Sequence, residues 1–279
     1  KRVPHPVFWI GNLIALLERR WNDPETPERR RRELGVATVA ILIGVTVVAG
    51  LILETLPLPE IAAFALLILA GTLGLAQRSL YDHVAAIAKP LAAGDLPGAR
   101  TAVGMIVARD TETMDEADVA TAALESLAES FNDGVVAPVF WFVIGGLPGL
   151  FAYKAVNTAD SIIGHREEPY RCFGWAAART DDLMNLIPAR LAGCLLCLAG
   201  GGGWRVMWRD ARNHASPNAG WPEAAMAGAL DLRLAGPIRY DGVRHDKPWI
   251  GSGRMEADPL DLRWALAIYV QACLLLWLV

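Results

Sequence analysis

Leu124 to Trp141, LESLAESFNDGVVAPVFW, joins a charged helix directly to an apolar run. It starts as a polar helix with Glu125 and Glu129 four residues apart, and so on one face. It passes through Asn132-Asp133-Gly134 and runs directly into apolar residues interrupted by Pro138. Carboxylates delivered to the edge of a hydrophobic layer are expensive to place there. Their expected use is to hold a cation or a cationic substrate at a membrane surface. The plainer reading is a solvated helix end that precedes a membrane segment, since like charges at this spacing destabilise by only about 0.2–0.5 kcal/mol.

Composition supports a membrane setting. Of 279 residues, 53% are hydrophobic, and the mean hydropathy is +0.30. That is too apolar for an ordinary soluble domain of this size and predicts an all-α, polytopic helical membrane protein with about four to five membrane segments. The net charge of −4 gives no sign of a nucleic-acid partner. The four cysteines make no disulfide or zinc framework. Cys194 and Cys197 lie in LAGCLLCLAG without an adjacent histidine, and read as small helix-packing residues. No signal-peptide cleavage pattern follows the first long apolar run. The chain does not begin with Met, so native residues upstream of Lys1 are expected.

Working outward, the chain reads as one integral-membrane helical domain over 1–279. Residues 1–34 are an interfacial helix opened by His5-Pro6 and a basic loop. The run Arg29-Arg30-Arg31-Arg32 makes that loop cytoplasmic by the positive-inside rule. Residues 35–76 form a transmembrane hairpin: a span from Gly35 to Leu56, a turn at Pro57-Leu58-Pro59, and a second span from Glu60 to Ala76. Glu54 sits close enough to that turn to reach water. Residues 77–134 are a cytoplasmic helical segment, with Arg109-Asp110-Thr111 in a loop and Asp115-Glu116 starting the helix of the opening stretch. Residues 135–203 are broken membrane segments carrying a polar block. Within them Val135 to Tyr153 is flawed as a span by Pro138 and by Gly145-Gly146-Leu147-Pro148-Gly149. Two half-helices in a re-entrant hairpin and a kinked crossing both fit. Residues 204–261 form a polar loop and helix block, and 262–279 a C-terminal membrane helix.

Familiar catalytic signatures are missing. No GxxxxGK[ST], HExxH, GxSxG or zinc spacing occurs. Instead, three helices carry carboxylates or amides at helical spacing: Glu125 and Glu129 with Asp133; Asn157 with Asp160; Asp181 and Asp182 with Asn185. Arg166, Arg179 and Arg190 are interleaved with them. Oxygen donors from several helices suit Mg²⁺, and arginines suit phosphate. The pattern predicts a phosphate-handling site at the cytoplasmic face of a helical membrane bundle. Snorkelling to the lipid headgroups is the plainer use of Arg190.

Three long blocks carry a family resemblance. ARDTETMDEADVATAALESLAESFNDGVVAPVFW (108–141), AYKAVNTADSIIGHREEPYRCFGWAAARTDDLMNLIPARL (152–191) and HASPNAGWPEAAMAGAL (214–230) resemble the adenosylcobinamide-phosphate synthase family, the CobD/CbiB type of the cobalamin pathway. The opening His5-Pro6-Val7 with Gly11 is similar to the same family. The resemblance covers nearly the whole chain in the expected order. Two departures stand out. The family usually has a further apolar segment before the His-Pro pair, and Ser130 stands where Asn is more usual, so that position is given no role.

This resemblance implies a multi-pass enzyme of the bacterial inner membrane with its site facing the cytoplasm. It would ligate adenosylcobyric acid to (R)-1-aminopropan-2-ol phosphate or ethanolamine phosphate, using ATP and Mg²⁺, with the corrinoid as substrate. Glu125, Glu129, Asp133, Asp181 and Asp182 are then expected at the metal or the amine, and Arg166, Arg179 and Arg190 at phosphate groups. Asn157, Asp160 and Asn185 would orient ligands. His214, Ser216, Asn218 and Glu223 would form a second wall, with His214 as a proton carrier. Membrane lipid is the expected surrounding, with a homo-oligomer or a complex with later membrane enzymes of the pathway as the expected assembly. Two rivals fit the bare pattern: a Mg²⁺-dependent intramembrane transferase, and a non-enzymatic sensor of the AmpE type. Since ATP and the corrinoid are cytoplasmic, the third apolar run is expected to be re-entrant, or the site to be sunk into the bundle.

Overall fold

The computed structural model describes residues 6–107, 109–236, 238–240, 243–245 and 248–278; His5 lies outside them. Helices follow the apolar runs: α1 (Pro6–Trp21), α2 (Glu28–Glu54), α3 (Glu60–Leu73), α4 (Gln77–Ala92), α5 (Leu96–Val103), α6 (Glu116–Phe131) and, after a π-type turn at Asn132–Val136, α7 (Ala137–Ile163). Then come α8 (Tyr170–Phe173), α9 (Trp175–Met184), α10 (Leu186–Ala199), α11 (Trp204–Asp210), a 3-10 turn at Ala211–Asn213, α12 (Gly220–Leu230) and α13 (Pro259–Leu276). The block read as polar loop and helix also holds two antiparallel ribbons. β1 (Leu234–Ala235) pairs with β4 (Trp249–Ile250), and β2 (Ile238–Tyr240) with β3 (Val243–His245). The fold is nevertheless helical. Four stretches, Glu28–Glu54, Glu60–Ala92, Glu116–Ile163 and Pro259–Leu276, are long and apolar enough to cross a membrane, and α9 with α10 makes a fifth if counted as one.

By packing, the chain falls into two compact units, each assembled from two separated pieces. One is Lys1–Leu75 with Ala137–Asn185; the other is Ala76–Val136 with Leu186–Val279.

The first unit is organised by α2 and the second half of α7. The four arginines predicted in a loop belong instead to the first turns of α2, which starts at Glu28. The physical reason is that two of them find partners on other segments of the same unit. Arg31 is buried and bonds Glu168 at 3.1 Å, and Arg32 stacks on the Trp175 ring at 3.8 Å. At the opposite end of α2, Gly50 lets the backbone of Leu147 and Pro148 approach closely; a Cβ there would stand 2.5 Å from the Pro148 nitrogen. The two helices therefore run antiparallel, with Val39 and Leu42 packed against Ala155, Val156, Ala159 and Ile163.

Between the halves of α7 the helix is broken. Gly146 has φ 60° and ψ −151°, a combination open essentially to glycine alone. The break turns the chain back: the Trp141 carbonyl lies against Gly149, whereas residues eight apart in an unbroken helix rise about 12 Å. Trp141 Nε1 also donates to the Met184 carbonyl at 3.1 Å. Pro148 falls in the first turn of the new segment, where its missing N–H costs nothing. The Leu147 N–H, orphaned by the break, donates to Glu54 Oε1 at 2.7 Å. Glu54 thus caps a helix start. The second predicted span is shorter than expected. α3 has 14 residues, about 21 Å, and the chain breaks at Gly74 before α4 resumes at Gln77.

In the second unit, α6 sits at the centre. Asp115 caps it in a reciprocal box with Asp118, and Val119, Ala120, Leu124, Leu127, Ala128 and Phe131 are buried. The helix read as polar is therefore mostly core. Phe131 meets the Tyr269 ring edge-on at 5.6 Å, and the Tyr269 hydroxyl donates to the Gln77 carbonyl at 2.7 Å, tying α13 to α4. α12, GWPEAAMAGAL, is buried from Gly220 to Ala227 because its small residues admit α10 and α11 closely. Asp210 ends α11, accepting from Arg209 at 2.6 Å and from the Gly251 N–H at 2.9 Å.

Two outcomes are expected. Gly146→Ala forces a Cβ into a backbone region it disfavours and toward the Glu54 carboxylate, and should cost about 1–3 kcal/mol, read as a lowered thermal midpoint in detergent. The Arg209 hydrogen bond, aided by Gly251, holds the Asp210 carboxyl below the usual carboxylate range. Its stabilising contribution is complete above an unfolded-state pKa of about 3.9 and is lost as pH falls through the lower folded value. Thermal midpoints of Asp210→Asn should therefore fall less steeply than wild type below about pH 4.

Candidate functional site

In the first unit, α7 and α9 lie side by side and bring three of the predicted residues into one network. Asp181 is buried. Its Oδ2 accepts from Asn185 Nδ2 at 2.9 Å and its Oδ1 from Asn157 Nδ2 at 3.4 Å. Asn185 Oδ1 in turn accepts from the Tyr153 hydroxyl at 3.1 Å, and Lys154 Nζ donates to Asn157 Oδ1 at 3.3 Å. These amide donors orient the Asp181 carboxylate within the network. Asp160 is on α7, three residues past Asn157. Asp182 pairs with Arg179 one turn back at 3.0 Å, and the charge of Arg166 also acts on it. The hard oxygen set of Asn157, Asp181 and Asn185, with Asp182 next in chain, fits the donor chemistry of Mg²⁺.

In the second unit, the two glutamates of α6 part company. Glu129 is exposed, and Asp133 in the following turn accepts from Asn132 Nδ2 at 2.7 Å. Glu125 is buried, and both of its oxygens are engaged: Oε2 by Arg109 and Oε1 by the Ala235 N–H at 2.7 Å. An expectation of Glu125 as a metal ligand fits this geometry poorly, because a cation would have to displace a buried guanidinium. Its carboxylate pins the Arg109 loop and β1 onto α6.

The remaining predicted residues of this unit gather around the start of α12. Ser216 Oγ accepts from the N–H groups of Asn218 at 3.2 Å and Ala219 at 3.3 Å, which shapes the turn into the helix. The Ser216 N–H donates to His214 Nδ1 at 3.0 Å. With Nδ1 accepting, the neutral ring carries its proton on Nε2, 3.6 Å from Glu223 Oε1. Glu223 is 3% exposed. Arg190 reaches from α10 to donate to Asn218 Oδ1 at 3.3 Å, with its guanidinium 4.5 Å from the Trp221 ring centre.

Sequence reading passed over Arg109, Tyr153, Lys154 and Trp221. Arg109 lies in a loop sixteen positions from its partner, and no helical period links the two. Trp221 lies inside a quoted motif, but nothing in its spacing announces a stacked arginine.

Among the described residues, one set has ligand atoms close enough for a metal, Glu28, Glu168 and Cys172. Its carboxylates are engaged by Arg31 and Arg171. That ion-pair network fastens α2 to α8.

Breaking the Arg109–Glu125 pair by Arg109→Ala should destabilise by about 3–5 kcal/mol, because it strands a buried carboxylate. The double variant Arg109→Met, Glu125→Leu should recover most of the loss in the same unfolding measurement.

Comparison with known proteins gives these residues a context. The model of the family described as CobD/Cbib protein matches residues 1–269. A protein of Rhodobacter capsulatus named Cobalamin biosynthesis protein CobD is 54% identical, over 98% of this chain and 87% of that protein. Proteins of the same name from Brucella anthropi and Rhizobium meliloti are 48% and 43% identical, covering 96% and 98% of this chain and 86% of each relative. No solved structure matches. With the family model running over nearly its full length and relatives that close, the chain belongs to the CobD/Cbib family.

Proposed function

We propose that this chain is a membrane-embedded ligase of cobalamin biosynthesis. It would join the propionate carboxyl of adenosylcobyric acid to the amine of (R)-1-aminopropan-2-ol phosphate or ethanolamine phosphate, at the cytoplasmic face of the inner membrane. The observation that carries this reading is the family match over residues 1–269, with relatives named as cobalamin biosynthesis proteins.

The chemistry asks for particular groups. A carboxylate is a poor acyl donor, because its leaving group would be oxide. Transfer of the terminal phosphoryl group of ATP to a carboxylate oxygen releases ADP and supplies phosphate as a leaving group. The amine nitrogen then forms the bond to the acyl carbon, the carbon–oxygen bond to phosphate breaks, and the nitrogen gives up a proton to a base. Bound magnesium would neutralise phosphate charge. In the first unit Asp181 and Asp182, with Asn157, Asp160 and Asn185, would hold the metal; in the second, Glu129 and Asp133 would hold a metal or the ammonium. Arg166 and Arg179 would steady phosphate oxygens, and Arg190 likewise. His214 would take the proton on Nδ1 if the Ser216 N–H swings away, with Glu223 stabilising the resulting imidazolium.

Purified protein in detergent, given adenosylcobyric acid, aminopropanol phosphate, ATP and Mg²⁺, should yield adenosylcobinamide phosphate with one ADP and one phosphate per product, resolved by chromatography. Asp182→Asn and Glu129→Gln should each lower kcat/KM by at least about 100-fold. Absence of product from a folded wild-type protein, or full activity in both variants, would contradict the reading.

A further inference from the structure

Most of the half-buried arginines described above are matched by carboxylates: Arg31 by Glu168, Arg109 by Glu125. Arg190 is an exception. Its Nη1 donates to the Leu186 carbonyl at 2.6 Å and to Asn218 Oδ1 at 3.3 Å, and its Cζ lies over the Trp221 ring at 4.5 Å from the centre. All three partners are neutral. Among the described residues no carboxylate pairs with it, and Nε and Nη2 make no hydrogen bond. A second cation, Arg212 in the 3-10 turn Ala211–Asn213, stands near enough for its charge to act on Arg190. Arg212 is exposed and likewise forms no ion pair among the described residues.

A half-buried guanidinium without a counter-ion loses hydration for no Coulomb return, and the positive charge of Arg212 adds to that cost. Such an arrangement is stable in the presence of an anion. The geometry also says which edge the anion would meet. Asn218 and the Leu186 carbonyl occupy one corner of the guanidinium, while Trp221, 7% exposed and braced edge-on by Trp208 at 5.0 Å, fixes its plane. The Nε–Nη2 edge is left as a flat two-donor fork, which matches two oxygens of a phosphate.

We propose that Arg190 and Arg212, with Asn218 and Trp221 orienting Arg190, form a binding site for a phosphate dianion, either a phosphomonoester or the terminal phosphate of a nucleotide. The choice of these two sources rests on the ligase reading above; the site itself rests on the neutral carbonyl, amide and indole that hold Arg190.

Titration calorimetry on the full chain in detergent tests this, with aminopropanol phosphate and ATP as separate probes and unphosphorylated aminopropanol as the control. Arg212→Gln alters an exposed side chain and should leave the thermal midpoint unchanged. It should weaken one phosphate probe about tenfold or more, the worth of one charge-assisted hydrogen bond, and leave the control unchanged. Arg190→Lys, which keeps the charge but loses the fork, should weaken the same probe. The probe that responds identifies the source. Wild-type affinity for both probes in Arg212→Gln, or no binding of either probe to wild type, would overturn the site; if Arg190→Lys does not fold, Arg212→Gln decides alone. Arg212-dependent binding without ligation would sink the reaction and keep the site. Ligation with unchanged KM values in Arg212→Gln would do the reverse.

Discussion

A backbone that breaks inside an apolar run must find partners for the groups it exposes, and here a single carboxylate supplies one. Glu54, at the end of α2, accepts the Leu147 N–H freed by the turn at Gly145–Gly146. Irregular backbone at such a place is tolerated only where protein covers it and satisfies it. That constraint sets the direction of the rest of the first unit. Starting from Glu54 and Gly50, the second half of α7 can only climb back along α2. It delivers Asn157 and Asp160, and then the turn to α8 and α9, toward the end where Arg31 and Arg32 are held by Glu168 and Trp175.

The buried carboxylates divide by their partners. Glu125 has a guanidinium and a backbone N–H, which satisfy both oxygens and make it a structural anchor. Asp181 accepts from two side-chain amides, which orient it. The cations divide the same way: Arg109 is neutralised, whereas Arg190 is held by an amide, a carbonyl and an indole face.

Much of this could be read from the amino-acid order. Apolar runs gave the helices, Pro57-Leu58-Pro59 the first turn, Asp115 a helix start, and the glycine-proline cluster at 145–149 a break. The spacing of Asp181 and Asn185 anticipated a pair that does meet. Other features were hidden for identifiable reasons. Arg29–Arg32 resembled a loop because charge density stands out and the distant partners Glu168 and Trp175 do not. Glu125 and Glu129 share a face by spacing, but burial separates them, and burial depends on what packs from elsewhere. The short ribbons at 234–250 are held by pairing between strands too brief to show a period.

The third apolar run turns back, so that the polar block after it returns to the arginine end of α2. Single-cysteine labelling tests it directly, in sealed vesicles of a variant lacking Cys172, Cys194, Cys197 and Cys273. Arg30→Cys and His165→Cys should react with a membrane-impermeant maleimide from one side, and Leu58→Cys only from the other. Labelling of position 165 from the side that labels position 58 would contradict the claim.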